Sequence, residues 1–153
     1  MNIYDYQRPV GKIDDVPELR NDFIAIYDTK SHQQVVEFCI ALGKHLIEMT
    51  GFEANKDIIA AFEAMQRWLN GEANYHEARN LSFAISQYGR DEEDPIKARF
   101  FKTMGQLTAG PHVKYHGLWA TDFAVTLVNK MHPDDIEEVK KERKKHLELI
   151  KAC

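Results

Sequence analysis

The hydrophobic and polar positions of this chain alternate with a helical period from residue 16 onward. In "VPELRNDFIAIYD" (16–28), Leu19, Phe23, Ile26 and Tyr27 fall at helical spacing behind Pro17. Proline suits a first helical turn, where its missing N–H is not needed. "SHQQVVEFCIALGKHLIEMTG" (31–51) opens with Ser31 and Gln34 as a capping box. It carries Val35, Cys39, Leu42, Leu46 and Met49 on one face and stops at Gly51. "NKDIIAAFEAMQRWLNG" (55–71) has Asn55 as N-cap, the face Ile58, Phe62, Met65 and Leu69 with Trp68 beside it, and Gly71 as its end.

Asn74 and Glu77 read as a second capping box, opening a helix with Ala78, Leu81, Ile85 and Tyr88 that ends at Gly89. Asp94 and Pro95 start the next helix, which carries Phe100, Met104 and Leu107. Gly110-Pro111 breaks it, because proline removes a donor and clashes one turn back. The pattern predicts a further helix over 112–131. Its polar residues Lys114, Thr121, Asp122, Thr126, Asn129 and Lys130 leave most of the circumference apolar, as expected of a central helix. A last helix begins near Pro133, with acids in its first turn and bases later.

No stretch shows the period of two that strands require, so the expected fold is all-α. The short connections predict a compact bundle or array of about six to seven helices, each packed antiparallel on the next. The chain reads as one domain spanning 1–153, with residues 1–15 an irregular N-terminal segment.

Of the 153 residues, 44% are hydrophobic and 29% charged, which suits a globular core. The net charge of −4 supplies no basic stripe for nucleic acid. No apolar run is long enough for a membrane span, and no targeting signal opens the chain, so a cytoplasmic location is expected. Cys39 and Cys153 form neither a disulfide framework nor a ligand spacing.

The segment with most chemistry is "GPHVKYHGLWATDFA" (110–124). On a continuous helix His112, His116, Trp119, Phe123 and Leu127 share one sector, expected to face the core or a cleft in it. A histidine pair one turn apart can chelate a metal. A metalloprotease motif would also need a glutamate where Val113 stands. Any other metal site needs a third ligand, from His45, His76, Glu77 or Asp122. The preferred expectation is therefore a hydrogen-bonded imidazole pair, with no metal and no cofactor. Arg79 lies on a polar line with Ser82 and Ser86 and could clamp a carboxylate, or simply edge the bundle. The run Lys140, Lys141, Arg143, Lys144 and Lys145 follows several acids and reads as a solvated helix surface. No nucleophile elbow or phosphate-binding glycine loop is present, so no catalytic residue is expected.

The order of motifs resembles a family of bacterial immunity proteins of polymorphic toxin systems. The resemblance runs over roughly 28 to 150 and rests on short blocks. These are Trp68, Gly71 and Glu72, then Ala78 and Arg79, then Gly105, His112, Val113 and His116, then Glu142 and Arg143. The chain departs from the family pattern in having fewer alanines, Gln106 in place of a second histidine, and the Gly110-Pro111 break. The resemblance implies an all-helical cytoplasmic protein that neutralises a cognate toxin by direct binding, without catalysis. It implies a signature cluster of His112, His116, Arg79, Trp68 and Glu72 that organises the bundle or lines a cleft. A basic toxin would meet the acids Glu92, Glu93, Asp94, Asp134 and Asp135. The alternatives are a metal- or ligand-binding bundle or enzyme built on His112 and His116, or a homo-oligomer joined through Trp119 and Phe123.

Overall fold

The computed structural model describes residues 6–9 and 11–153; the parts of the irregular N-terminal segment at 1–5 and 10 lie outside the described residues. Among the described residues there are seven helices and no strand: α1 Pro17–Tyr27, α2 His32–Thr50, α3 Lys56–Leu69, α4 His76–Asp91, α5 Pro95–Thr108, α6 Tyr115–Met131 and α7 Ile136–Lys151. The architecture is all-α.

Local signals set most boundaries. The Ser31 side chain accepts from the Gln34 backbone N–H while Gln34 returns a bond to Ser31, and α2 ends at Gly51 in the left-handed region (φ 73°). Asn55 and Asp94 cap α3 and α5 through their side chains. Other boundaries differ from expectation. Asn74 does accept a backbone bond, from His76, but Glu77 turns away from the cap to pair with Arg67 of α3. Pro133 precedes α7 instead of opening it. Asp134 adopts φ 58°, and Asp135 caps the helix by accepting from Glu138.

Gly89 does not end its helix. α4 runs on to Asp91, and the glycine serves packing. A Cβ there would lie 3.0 Å from the Ala98 carbonyl of α5, and a Cβ at Gly105 of α5 would lie 3.0 Å from the Ser82 carbonyl of α4 and run into Ser86 Oγ. These reciprocal glycines let α4 and α5 approach backbone to backbone. α5 packs in turn on α6, whereas α1 packs mainly along α7, at the other end of the sequence. The core between them includes Phe23, Phe38, Leu42, Phe100, Met104, Leu118 and Ile150, all buried. Each such side chain contributes roughly 1.5–3 kcal/mol by leaving water.

Inside this core sit charges. Asp122 of α6 is 0% exposed, and its carboxylate accepts from Arg20 Nε and Nη2 of α1 at 2.9 and 3.0 Å and from Arg143 Nη2 of α7 at 2.8 Å. Arg143, also 0% exposed, donates to both carboxylate oxygens of Asp15 at 2.9 and 2.6 Å and to Thr121 Oγ at 2.9 Å. Two arginines and two aspartates thus balance in charge. Arg143 is therefore a correction to the solvated-surface expectation: Lys141 and Lys144 are exposed, but the arginine between them points inward. One residue earlier, Glu142 accepts from His146 Nε2 at 2.7 Å and His45 Nε2 at 2.8 Å, tying α7 to α2.

The close approach of α4 to α5 is directly testable. Gly105→Ala is expected to lower the unfolding free energy by about 1–3 kcal/mol through overpacking. Gly51→Ala, which meets open space and strains only its backbone, should cost about 1 kcal/mol. Urea unfolding measures both, and a wild-type midpoint for Gly105→Ala would contradict the packing described.

Candidate functional site

The α5–α6 corner brings His112, His116 and Arg79 of the expected signature cluster together, and leaves Trp68 and Glu72 farther out. Ala109 accepts from the backbone N–H groups of His112 and Val113, turning the chain through Gly110-Pro111, and α6 begins only at Tyr115. His112 therefore lies in the turn and not on the helix, which corrects the expectation of a helical pair. The turn is seated on α2: a Cβ at Gly110 would fall 2.9 Å from Cys39 Sγ, and Pro111 is buried. It is also hydrogen-bonded from outside. His32 Nε2 donates to the Gly110 carbonyl at 2.7 Å, Lys114 Nζ donates to the Lys30 carbonyl at 2.5 Å, and Tyr27 donates to the Lys114 carbonyl while accepting from Leu118 N–H at 3.1 Å. Proline and glycine here build a fixed corner.

The histidine sector is the less buried side of α6. His116, Trp119 and Phe123 are half-buried, while the fully buried side carries Leu118, Thr121, Asp122 and Val125. Of the sector expected to face the core or a cleft in it, only Leu127 is fully buried, and His116, Trp119 and Phe123 lie at its margin. The physical reason is Asp122: two arginines compensate its charge and let that side turn inward.

Around the pair an aromatic cluster forms. The His112 and His116 ring centroids are 6.0 Å apart; His112 meets Tyr75 at 4.8 Å, and His116 meets the edge of Trp119 at 5.2 Å. His116 Nδ1 donates to Gln106 Oε1 at 3.0 Å, so its imidazole has a partner on α5. Trp119 Nε1 donates to the Tyr6 carbonyl at 3.2 Å, and Tyr6 stacks on Tyr115 at 4.3 Å. Arg79 lies 5.2 Å over the exposed ring of Phe83, close enough for its charge to act on His112. Trp68 is one step removed, packed at 4.7 Å on the His32 ring that bonds Gly110. Glu72 is exposed in the α3–α4 turn and lies outside the cluster, its charge acting on Arg67. Tyr75, Gln106 and Tyr6 were not foreseen, because they come from other segments of the chain.

Burial lowers the His116 pKa from 6.5 to about 4, aided by the neighbouring His112. His112 is lowered as well, by burial and then by Arg79 and His76. Both rings are neutral at neutral pH. As metal ligands they lack a companion: among the described residues no group of three or more His, Cys, Asp or Glu side chains is arranged to hold an ion. The other candidates are engaged elsewhere. Asp122 binds two arginines, His45 binds Glu142, Glu77 binds Arg67, and His76 lies against Tyr75 at 4.3 Å. Cys39 is buried, and burial raises its thiol to about 12, far from a reactive thiolate.

One family model matches, described as "Imm-5 like putative immunity protein", over residues 25–153. It thus covers α2 to α7 entirely and the end of α1. No curated protein and no solved structure matches the chain. Among the described residues no helix is long and apolar enough to cross a membrane.

The neutral histidine cluster sets a pH dependence. Below 6.5 the unfolded chain binds a proton at residue 116 that the folded chain refuses until about 4, so acidification across that window favours unfolding. His116 should cost about 2 kcal/mol there, once partial solvent screening is allowed for. The Glu142 carboxyl acts in a lower window: burial would raise it, but His146 and His45 hold it at about 2 instead of 4.5, so its contribution disappears below 4.5. Urea unfolding from pH 7 to 4 should show a steeper loss for wild type than for His116→Gln. Equal slopes would contradict the buried neutral imidazole.

Proposed function

The chain belongs to the Imm-5 like immunity protein family, and from that premise we propose that it neutralises a cognate bacterial toxin by binding it, without catalysing a reaction. The observation that carries this reading is the family match across residues 25–153. Its site of action is the cytoplasm of the bacterium that carries the toxin gene.

The contact surface is the half-exposed cluster on α4 and the α5–α6 corner. Arg79, Tyr75 and His112 belong there, beside Phe83, which is 56% exposed. Tyrosine and arginine dominate the energetic centres of protein interfaces because they combine apolar area with a directional polar end. The corner beneath them is held by Tyr27, His32 and Lys30, so the surface is preorganised for binding. Trp68 supports it through His32. Of the five acids that suit a basic partner, Asp94 and Asp135 are occupied in capping and Glu92 accepts from the Asp94 backbone N–H, which leaves Glu93 and Asp134 on the exposed surface. Trp119 and Phe123, the candidates for a subunit interface, meet Tyr6 and Arg99 of the same chain.

Co-expression with the toxin encoded beside this gene tests the proposal. The expected result is restored growth and a complex that co-purifies and elutes as one species by size. Arg79→Ala and His112→Ala should each weaken the complex about tenfold or more, with unfolding midpoints close to wild type. Failure to bind or protect would overturn the immunity reading. Full affinity in both variants would place the contact surface elsewhere on the protein.

A further inference from the structure

Away from the histidine cluster, a cleft of about 670 Å³ opens between the N-terminal segment, α5 and α6, lined by Pro9, Gly11, Lys12, Ile13, Asp14, Arg99, Thr126, Asn129 and Lys130. Three cations line it against one carboxylate. Lys12, Arg99 and Lys130 form no ion pair among the described residues. Arg99 is the central one. Its Nε is buried without a hydrogen-bond partner, and its guanidinium lies 5.6 Å from the centre of the Phe123 ring, which engages its charge but accepts no planar hydrogen bond. Burial lowers its pKa, a sign that its charge is uncompensated. The two buried arginines of this fold, Arg20 and Arg143, each have a carboxylate.

The wall of the cleft is fixed. Asp14 N–H donates to Asn129 Oδ1 at 3.1 Å and Asn129 Nδ2 donates back to the Asp14 carbonyl at 3.0 Å. This clamp holds the segment bearing Lys12 against α6, beside Lys130. A half-buried cation without a counter-charge is costly to fold, and an anion in the cleft would offset that cost. The planar edge of a guanidinium matches two oxygens of a carboxylate or phosphate, and ammonium groups supply point charge around it. The volume exceeds what a bare ion fills and suits a small organic molecule.

We propose that Arg99, Lys12 and Lys130 form a binding site for a small oxyanion, a molecule bearing a phosphate or carboxylate group. The site is separate from the toxin-binding surface and does not depend on it.

Isothermal titration of the full chain with inorganic phosphate and, separately, with citrate, at ionic strength held constant with chloride, tests this. Saturable one-to-one binding of either anion is expected. Arg99→Gln should weaken it about tenfold, and Lys130→Ala several-fold. The anion preferred identifies phosphate or carboxylate as the recognised group. Thermal melts in chloride check the fold, and if Arg99→Gln does not fold, Lys130→Ala and Lys12→Ala carry the test. No saturable binding of either anion, or equal binding by wild type and every folded variant, would overturn the site.

Discussion

A single carboxylate, Asp122, ties both ends of the chain to the central helix. It accepts from Arg20 of α1 and Arg143 of α7, and Arg143 reaches on to Asp15 ahead of α1. Burial alone would push the Asp15 carboxyl up, but the Arg143 guanidinium outweighs it and holds the group ionised. The same pairing raises Arg143 against a burial effect that would lower it. Such a network is held only when each charge is matched, because each unmatched one in this interior costs several kcal/mol. It therefore specifies which helices meet: α1 finds α7, although almost the whole chain separates them.

That inward commitment of α6 decides what the rest of the surface can do. With Asp122 and Thr121 facing α7, the opposite side of α6 presents His116, Trp119 and Phe123 at the margin of solvent. The α5–α6 corner then sets His112 next to Tyr75, just ahead of α4, and within reach of the charge of Arg79 on that helix. Fold and surface are two sides of one helix. Glu142 adds a second buried anchor. Burial lowers the His146 pKa against the pull of Glu142, which accepts its Nε2–H, and in the neutral ring this favours, the unpartnered Nδ1 bears a lone pair and not a donor. An unpartnered lone pair costs less than an unpartnered N–H of an imidazolium would.

The helices were legible in the sequence because caps and apolar periods are local. Ser31 with Gln34, Asn55 and Asp94 act within one turn, and each stands where it was read. What depended on distant partners was not legible. Glu77 looked like half of a capping box until Arg67 of the preceding helix competed for it. Gly89 carries the same letter whether it ends a helix or admits a neighbour. Arg143 was hidden among lysines, although a signal existed: with Val139, His146 and Ile150 it occupies the buried stripe of α7 at helical spacing. Asp122 likewise falls between Leu118 and Val125 on the buried side of α6. Charged residues at apolar positions were the mark of the network. The family resemblance was legible as an order of blocks, and the matched region reaches from residue 25 to the C-terminal residue.

The claim on which the architecture rests is that Asp122 and Arg143 act as one unit. A double-mutant cycle with Asp122→Leu and Arg143→Met, read by urea unfolding, measures it most directly. Each single change should cost about 3–5 kcal/mol by leaving a buried charge unmatched, and the double change should cost clearly less than their sum. Costs that add to within about 0.5 kcal/mol would show two independent residues and contradict the account.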